Sequence, residues 1–272
     1  MITYLEQQYL VAPLTLKNGS EKMNKLLESL SAFWNDFVAD FKLNFIEDSG
    51  WKLLLQGLGT TLKITLFSLL IGVILGFIVA TIRSTYDRNV KNKANKSIGD
   101  YMMMLVNSLC NLYLTVIRGT PVVIQLMIMF YIVFATSSNG TLSAILAFGI
   151  NSGAYVAEIV RSGIMSIDKG QFEAGRSLGF NYTQTMIYII FPQAFKNILP
   201  ALGNEFIVLI KETSVVGYVA LKDLTYMGNL IRSRTYSAFL PLIAVALVYL
   251  IIVIILSKLL EILERRLRTS DV

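Results

Sequence analysis

The chain has 272 residues, is 54% hydrophobic and only 15% charged, and has a mean hydropathy of +0.60 with a net charge of +6. Soluble domains carry about 25% charged residues, so the composition is that of an integral membrane protein. It contains no histidine and one cysteine, Cys110, and no GxxxxGK phosphate loop, which excludes a disulfide framework, the common zinc sets, histidine-dependent nucleophilic catalysis and ATP hydrolysis on a phosphate loop.

The N-terminus does not read as a standard signal peptide: its first basic residue is Lys17, and residues 1–14 lack a basic start and a clear small-residue cleavage site. Residues 20–46 place Leu26, Leu27, Leu30, Phe33, Trp34, Phe37, Phe41 and Phe45 at helical spacing between polar residues. This is an amphipathic helix, which either lies on the outer membrane surface or packs on the protein's own flank.

A spanning helix needs about 20 mostly apolar residues. The runs that qualify are 53–82, 116–135, 142–160, 198–220 and 239–260. The fourth is the least clean because Glu205, Lys211 and Glu212 interrupt it. Residues 87–100 are polar and turn-rich, and the apolar helix expected over 101–113 either lies at the interface or extends the second span inward. The fold class expected is therefore an all-α integral membrane protein with about five transmembrane helices.

Five spans put the termini on opposite sides. Arg83, Arg88, Lys91, Lys93 and Lys96 follow the first span, Arg161, Lys169, Arg176 and Lys196 follow the third, and Lys258, Arg265, Arg266 and Arg268 end the chain. All three groups share one side, and the positive-inside rule makes it the cytoplasm. The N-terminus is then outside and the C-terminus cytoplasmic. The same placement explains the basic charge better than nucleic acid does.

The link at 161–197 is too polar for the membrane core, yet reads as helix–turn–helix. Ser166 or Asp168 offers an N-cap, Gly179 a stop, and a second helix follows that is expected to end near Pro192. A helical hairpin standing out of a membrane domain is a docking knob. Small residues at 174, 175 and 179 would let a partner approach the backbone, and Glu173 could pair with a basic residue there. The bland reading is a surface loop whose glycines serve turns.

The stretch FEAGRSLGFNYTQTMIYIIFPQA at 172–194 resembles the EAA loop of bacterial ABC importer permeases. Glu173, Ala174, Gly175, Gly179, Ile189 and Pro192 stand at the motif's spacing, with Gly175 in place of its third Ala and Phe191 in place of a Leu. IRGTPVVIQL at 117–126, SGAYVAEIVRSGI at 152–164 and KETSVVGYVALKDL at 211–224 are similar to the polar amino acid permeases of that superfamily, in the same order. The resemblance covers about residues 50–268.

It implies a type I importer fold of the methionine-importer kind, with a cytoplasmic coupling helix. The domains are then a 1–50 extension, a 51–268 permease domain and a 269–272 tail. It also implies a bacterial plasma membrane location and a second permease subunit, identical or related. Two ATP-binding subunits carrying ATP and Mg would do the hydrolysis, so this chain is no enzyme and holds no cofactor. An extracytoplasmic solute-binding protein would deliver an amino acid.

Charges within a span are costly and face a cavity or a partner. Glu158, Glu205, Lys211 and Glu212, with Thr213 and Ser214, are the candidates for a substrate path. Lys211 could meet a carboxylate and Glu212 an amino group. Gln125, Asn151, Ser152 and Tyr155 could line the same cavity. For each, structural pairing between helices is the competing role. Gly72 and Gly76 form a GxxxG pair that is frequent by chance. An autonomous secondary transporter or channel would also explain the spans, but not the loop, and neither the odd span number nor the absence of an inverted repeat favours it.

Overall fold

In a computed structural model, which describes residues 19–47, 49–137 and 139–268, every regular element among the described residues is helical. Helix α1 (Gly19–Phe41) runs into a π-helical turn (Lys42–Glu47), and α2 (Gly50–Asn89) is the longest element. Then come α3 (Ile98–Gly119), α4 (Val122–Ile128) with a π-helical turn (Met129–Val133), and α5 (Gly140–Met165). The hairpin α6 (Lys169–Ser177) and α7 (Tyr182–Thr185) follows. A π-helical turn (Met186–Ile190) leads on into α8 (Phe191–Glu212), and a 3-10 turn (Thr213–Val219) closes it. Helices α9 (Leu224–Thr235) and α10 (Phe239–Arg268) complete the chain. Residues 1–18 of the expected extension and the 269–272 tail lie outside the described residues.

Among the described residues α2, α3, α5 and α10 have the length and apolarity to cross a membrane. Helix α8 has 22 residues, about 33 Å, and its charges keep it out of that set, as the sequence anticipated for the fourth run. Burial separates the roles. The most apolar stretch of α5 is 72% buried and that of α10 only 17%, so α5 is the central post and α10 faces outward.

Helix α2 packs on α5 through the GxxxG pair. A Cβ at Gly72 would sit 2.9 Å from Ser152 Cβ, and one at Gly76 would sit 2.4 Å from Val156 Cγ1. The motif is thus a genuine close-packing face. At 40 residues, α2 is about 60 Å long, twice a bilayer core of roughly 30 Å. Its far end therefore projects past the spanning layer, carrying Asp87 and Arg88 to the hairpin.

The second span differs from its expected bounds of 116–135. Helix α3 starts at Ser97, whose side chain and Asp100 form a reciprocal capping box, and it ends at Gly119. Thr120 and Pro121 are extended, with ψ of 146° and 134°. Proline disfavours helical geometry in the residue before it, so the apolar run breaks there into α3 and the short α4. Residues 101–113 fall within α3, which by itself has the length and apolarity to cross a membrane.

Candidate functional site

Asp168 Oδ1 accepts from Gly170 N at 2.6 Å and caps α6. The helix ends in a paired turn: Gly179, at φ +82°, donates its N–H to Arg176 O, and Phe180 donates to Gly175 O. Asn181 and Gln184 cap each other reciprocally to start α7. The expected N-cap and stop are both in place.

Two expectations for the hairpin are corrected. Pro192 does not end the second helix: it sits in the first turn of α8, where a missing N–H costs little. The π-helical turn before it, closed by Phe191 N to Met186 O, carries the chain from α7 into α8 without a break. Gly175 does not open a surface to a partner. It is buried against α7, and a Cβ there would lie 2.7 Å from Thr185 Cγ2 and 3.1 Å from Ile189 Cδ1. The departure from Ala in the EAA pattern thus has a packing cause inside this chain. Glu173, Ala174, Gly179 and Pro192 are exposed, and Ile189 is half-buried.

The inner face of α6 is fastened by residues that sequence reading missed. Phe172 is buried in a cluster with Val160, Ile164, Met186, Ile190 and Ile198. The Arg88 guanidinium lies 3.6 Å from the centre of its ring, a cation–π contact, and Arg88 also reaches Ile164 O at 3.5 Å. A cleft of about 370 Å³ between α6 and the end of α2 is lined by Asp87, Arg88, Lys169, Phe172, Arg176 and Tyr182, among others. The hint in the sequence was that Phe172 is the one aromatic residue within α6.

The substrate-path candidates divide into three places. Gln125 donates from Nε2 to Ile117 O (2.8 Å), Thr120 O (3.1 Å) and Thr120 Oγ1 (2.8 Å), closing the break between α3 and α4. Its Oε1 accepts from Asn151 Nδ2 at 3.0 Å. Ser152 Oγ donates to Glu205 Oε1 at 2.7 Å, and both residues are buried where α5 meets α8.

Nearer the hairpin, Glu158 is held by three arginines from three helices: Arg83 of α2, Arg118 of α3 at 3.8 Å and Arg161 of α5 at 4.0 Å. Arg161 also pairs with Asp87 at 3.0 Å, and Arg118 lies 5.7 Å from the ring centre of Tyr155. Thr213 is buried, bonded to Ile210 O and 3.4 Å from Thr65 Oγ1. Lys211 and Ser214 lie apart, lining a cleft with Thr225 and Tyr249, while Glu212 is half-buried. Asn151, Tyr155 and Glu158 fall on one stripe of α5 by their 4-and-3 spacing.

The profile of the binding-protein-dependent transport system inner membrane component family matches residues 98–269. The chain belongs to that family. The permease is 37% identical over 222 residues to the arginine transport system permease protein ArtQ of Bacillus subtilis (strain 168), covering 80% of this chain and 94% of that one. It is 34% identical to the L-cystine transport system permease protein TcyB of the same organism, covering 82% and 90%. It is also 34% identical to the glutamine transport system permease protein GlnP of Escherichia coli (strain K12), covering 79% and 93%.

Among solved structures it resembles an amino acid ABC transporter with histidines, at 40% identity and TM-score 0.69, covering 79% of this permease and 94% of that chain. The inward-facing MetNI methionine ABC transporter shares the fold at 22% identity, with TM-score 0.67 and coverage of 81% and 98%. These relatives are transport permeases, which does not favour the reading as an autonomous transporter or channel.

Proposed function

We propose that the permease forms, with a second identical or related permease subunit, the membrane path of an ATP-driven amino acid importer in a bacterial plasma membrane. The observation that carries this is the asymmetry of α6. Its inner face is locked to α2 and α5 through Phe172 and Arg88 and to α7 through Gly175, while Glu173, Ala174 and Gly179 are left outward. A helix built this way passes on a push received from another chain.

In this reading α6 seats in a cleft on each of two ATP-binding subunits, which hold ATP and Mg. Their closure draws the two hairpins together. Arg88 and Phe172 pass the motion to α2, and the Glu158 cluster ties α2, α3 and α5 so that they tilt as a unit. Alternating access follows, and an extracytoplasmic binding protein supplies the amino acid.

The hairpin end is cytoplasmic, the N-terminus is outside, and residues 51–268 act as the permease domain. Solute would pass the polar groups of α5 and α8: Asn151, Ser152, Tyr155 and Glu205, with Gln125, Glu158 and the 211–214 group at the margins. The intramembrane carboxylates suit a solute bearing an ammonium group.

The test is co-purification from native membranes in mild detergent. A phosphate-loop subunit is expected to come down with the wild type, with hydrolysis stimulated by an amino acid and its binding protein. Glu173→Lys is expected to release that subunit. A wild-type chain that comes down alone and moves solute without ATP would sink the reading.

A further inference from the structure

Helix α1 carries none of the residues assigned above to the hairpin or the substrate path. Met23, Leu26, Leu30, Trp34, Phe37 and Phe41 fall within an arc of roughly 80° at 3.6 residues per turn, with Lys25, Glu28, Asn35 and Asp36 on the other side. At its C-terminal end this face meets the protein body: Phe37 packs on the cluster of Phe45, Leu54, Leu224 and Leu240, and Phe41 lies 5.0 Å from Phe45. Farther along, Met23, Leu26, Leu30 and Trp34 are 58%, 56%, 55% and 62% exposed.

The helix also leaves the spanning axis. Ser49 is left-handed at φ 52°, and a Cβ on Gly50 would lie 2.0 Å from Asn44 O. Residues six apart on a straight helix are about 9 Å apart, so the chain turns sharply between α1 and α2. Asn44 pins the corner, donating to Asp40 O and accepting from Thr235 Oγ1, each at 2.7 Å. The corner lies at the end of α2 opposite the hairpin. The body surface beside it is apolar and exposed, with Trp51 and Leu55 on α2 and Phe239 and Leu242 on α10. Between Met23 and Phe37 the apolar face runs about 21 Å, roughly two helix diameters past its anchor.

We propose that α1 lies in the bilayer interface, with Leu26, Leu30 and Trp34 sunk among the upper acyl chains as an outrigger beside the permease. The face that seals onto the body at Phe37 is the same face that continues over the lipid already bordering α2 and α10. The polar side carries both signs, Lys22 and Lys25 against Glu28, Asp36 and Asp40, so zwitterionic headgroups suffice and anionic lipid is not required.

The experiment uses the assembled transporter in phosphatidylcholine vesicles whose acyl chains are plain, brominated near the headgroup or brominated near the terminus. The chain has two tryptophans, Trp34 and Trp51. Subtracting the Trp34→Phe spectrum from the parent isolates Trp34, whatever the partner subunits contain. Trp34 is expected to lose most of its emission to shallow bromines and less to deep ones.

Trp34→Phe combined with Asn35→Trp moves the indole to the polar side and is expected to escape quenching. Leu30→Trp in the parent reports the same apolar face should Trp34→Phe fail to assemble. Blue-shifted emission that neither bromolipid touches would overturn the proposal in favour of a second copy or another protein covering the face. Red-shifted, unquenched emission would overturn it in favour of exposure to water. Amino acid uptake by the same vesicles reads the transport proposal separately.

Discussion

The hairpin and the polar groups of the spanning helices handle their polar side chains in opposite ways. In the hairpin, the caps and turns are closed by local hydrogen bonds, Asp168 to Gly170, Asn181 to Gln184 and Gly179 to Arg176, and Gln171 accepts from Gln193 of α8 at 3.3 Å. The outward carboxylate of Glu173 is exposed. In the spans, polar groups reach across helices: Glu158 to Arg83 and Arg118, Ser152 to Glu205, Asn151 to Gln125. Lipid offers no competing partner, so polar groups there must satisfy one another. Water satisfies the exposed Glu173. Cross-helix pairing therefore ties the spans of this chain together, while the outward carboxylate of Glu173 is the group that the proposed ATP-binding subunit would meet.

The largest effect is expected where the hairpin departs from that description. Gly175 is the one member of the EAA set wholly committed inward, against Thr185. Gly175→Val drives two methyls into Thr185 and Ile189, and overpacking of this kind costs about 1–3 kcal/mol. Because α6 has only nine residues, it is expected to swing off α7 rather than absorb the strain. Uptake and solute-stimulated ATP hydrolysis should both be lost, and a protease should cut within the hairpin. Thr185→Ala in the same chain should recover part of both. If Gly175→Val transports normally, the inward assignment fails and the motif's small residues face the partner after all.

The Glu158 cluster is the next test, this time of the cross-helix rule. Removing one partner of a buried ion pair costs roughly 3–5 kcal/mol. Glu158 is 32% exposed and Arg118 46%, so a smaller loss of about 2 kcal/mol is expected on Glu158→Gln. It should appear as a lower melting temperature of the purified transporter, with Glu158→Asp, which keeps the charge, lowering it less. A variant that melts like wild type but has a raised KM for uptake would move Glu158 from holding helices to contacting solute.

How much of this was legible follows from the reach of each interaction. The hairpin's caps and its glycine stop were readable because each depends on residues within about four positions. The bounds of the second span were misplaced because they were drawn across Arg118–Pro121, where one helix ends at Gly119 and the next begins at Val122. The same blindness applied to Pro192: a sequence shows a helix breaker but not the π-helical turn that accommodates it. Gly175 read as a small residue open to a partner until Thr185, ten residues on, came into contact with it. Glu158 was readable as a charge in a span, and Arg161 as a near neighbour, but Arg83 and Arg118 lie 75 and 40 residues away in sequence. Arg88, read only as one of a cytoplasmic basic group, became the link to the hairpin because α2 outlasts the bilayer.

That link gives the smallest and most selective effect. Arg88 lies over the Phe172 ring at 3.6 Å, an interaction worth about 0.5–2 kcal/mol. Lost alone, it should not unfold the hairpin, since Phe172 keeps its apolar cluster and Gly175 its seat on Thr185. Arg88→Ala is therefore expected to retain the ATP-binding subunit on co-purification while uptake per ATP hydrolysed falls by roughly threefold, about 0.7 kcal/mol of lost coupling. Phe172→Leu keeps the cluster filled but removes the ring face, and should reproduce the fall. The double variant should be no worse than either single one, because both remove the same contact. Additive losses would instead mean that Arg88 works through the lining of the cleft it shares with Asp87 and Tyr182, and that α6 is tied to α2 by charge rather than by the aromatic face.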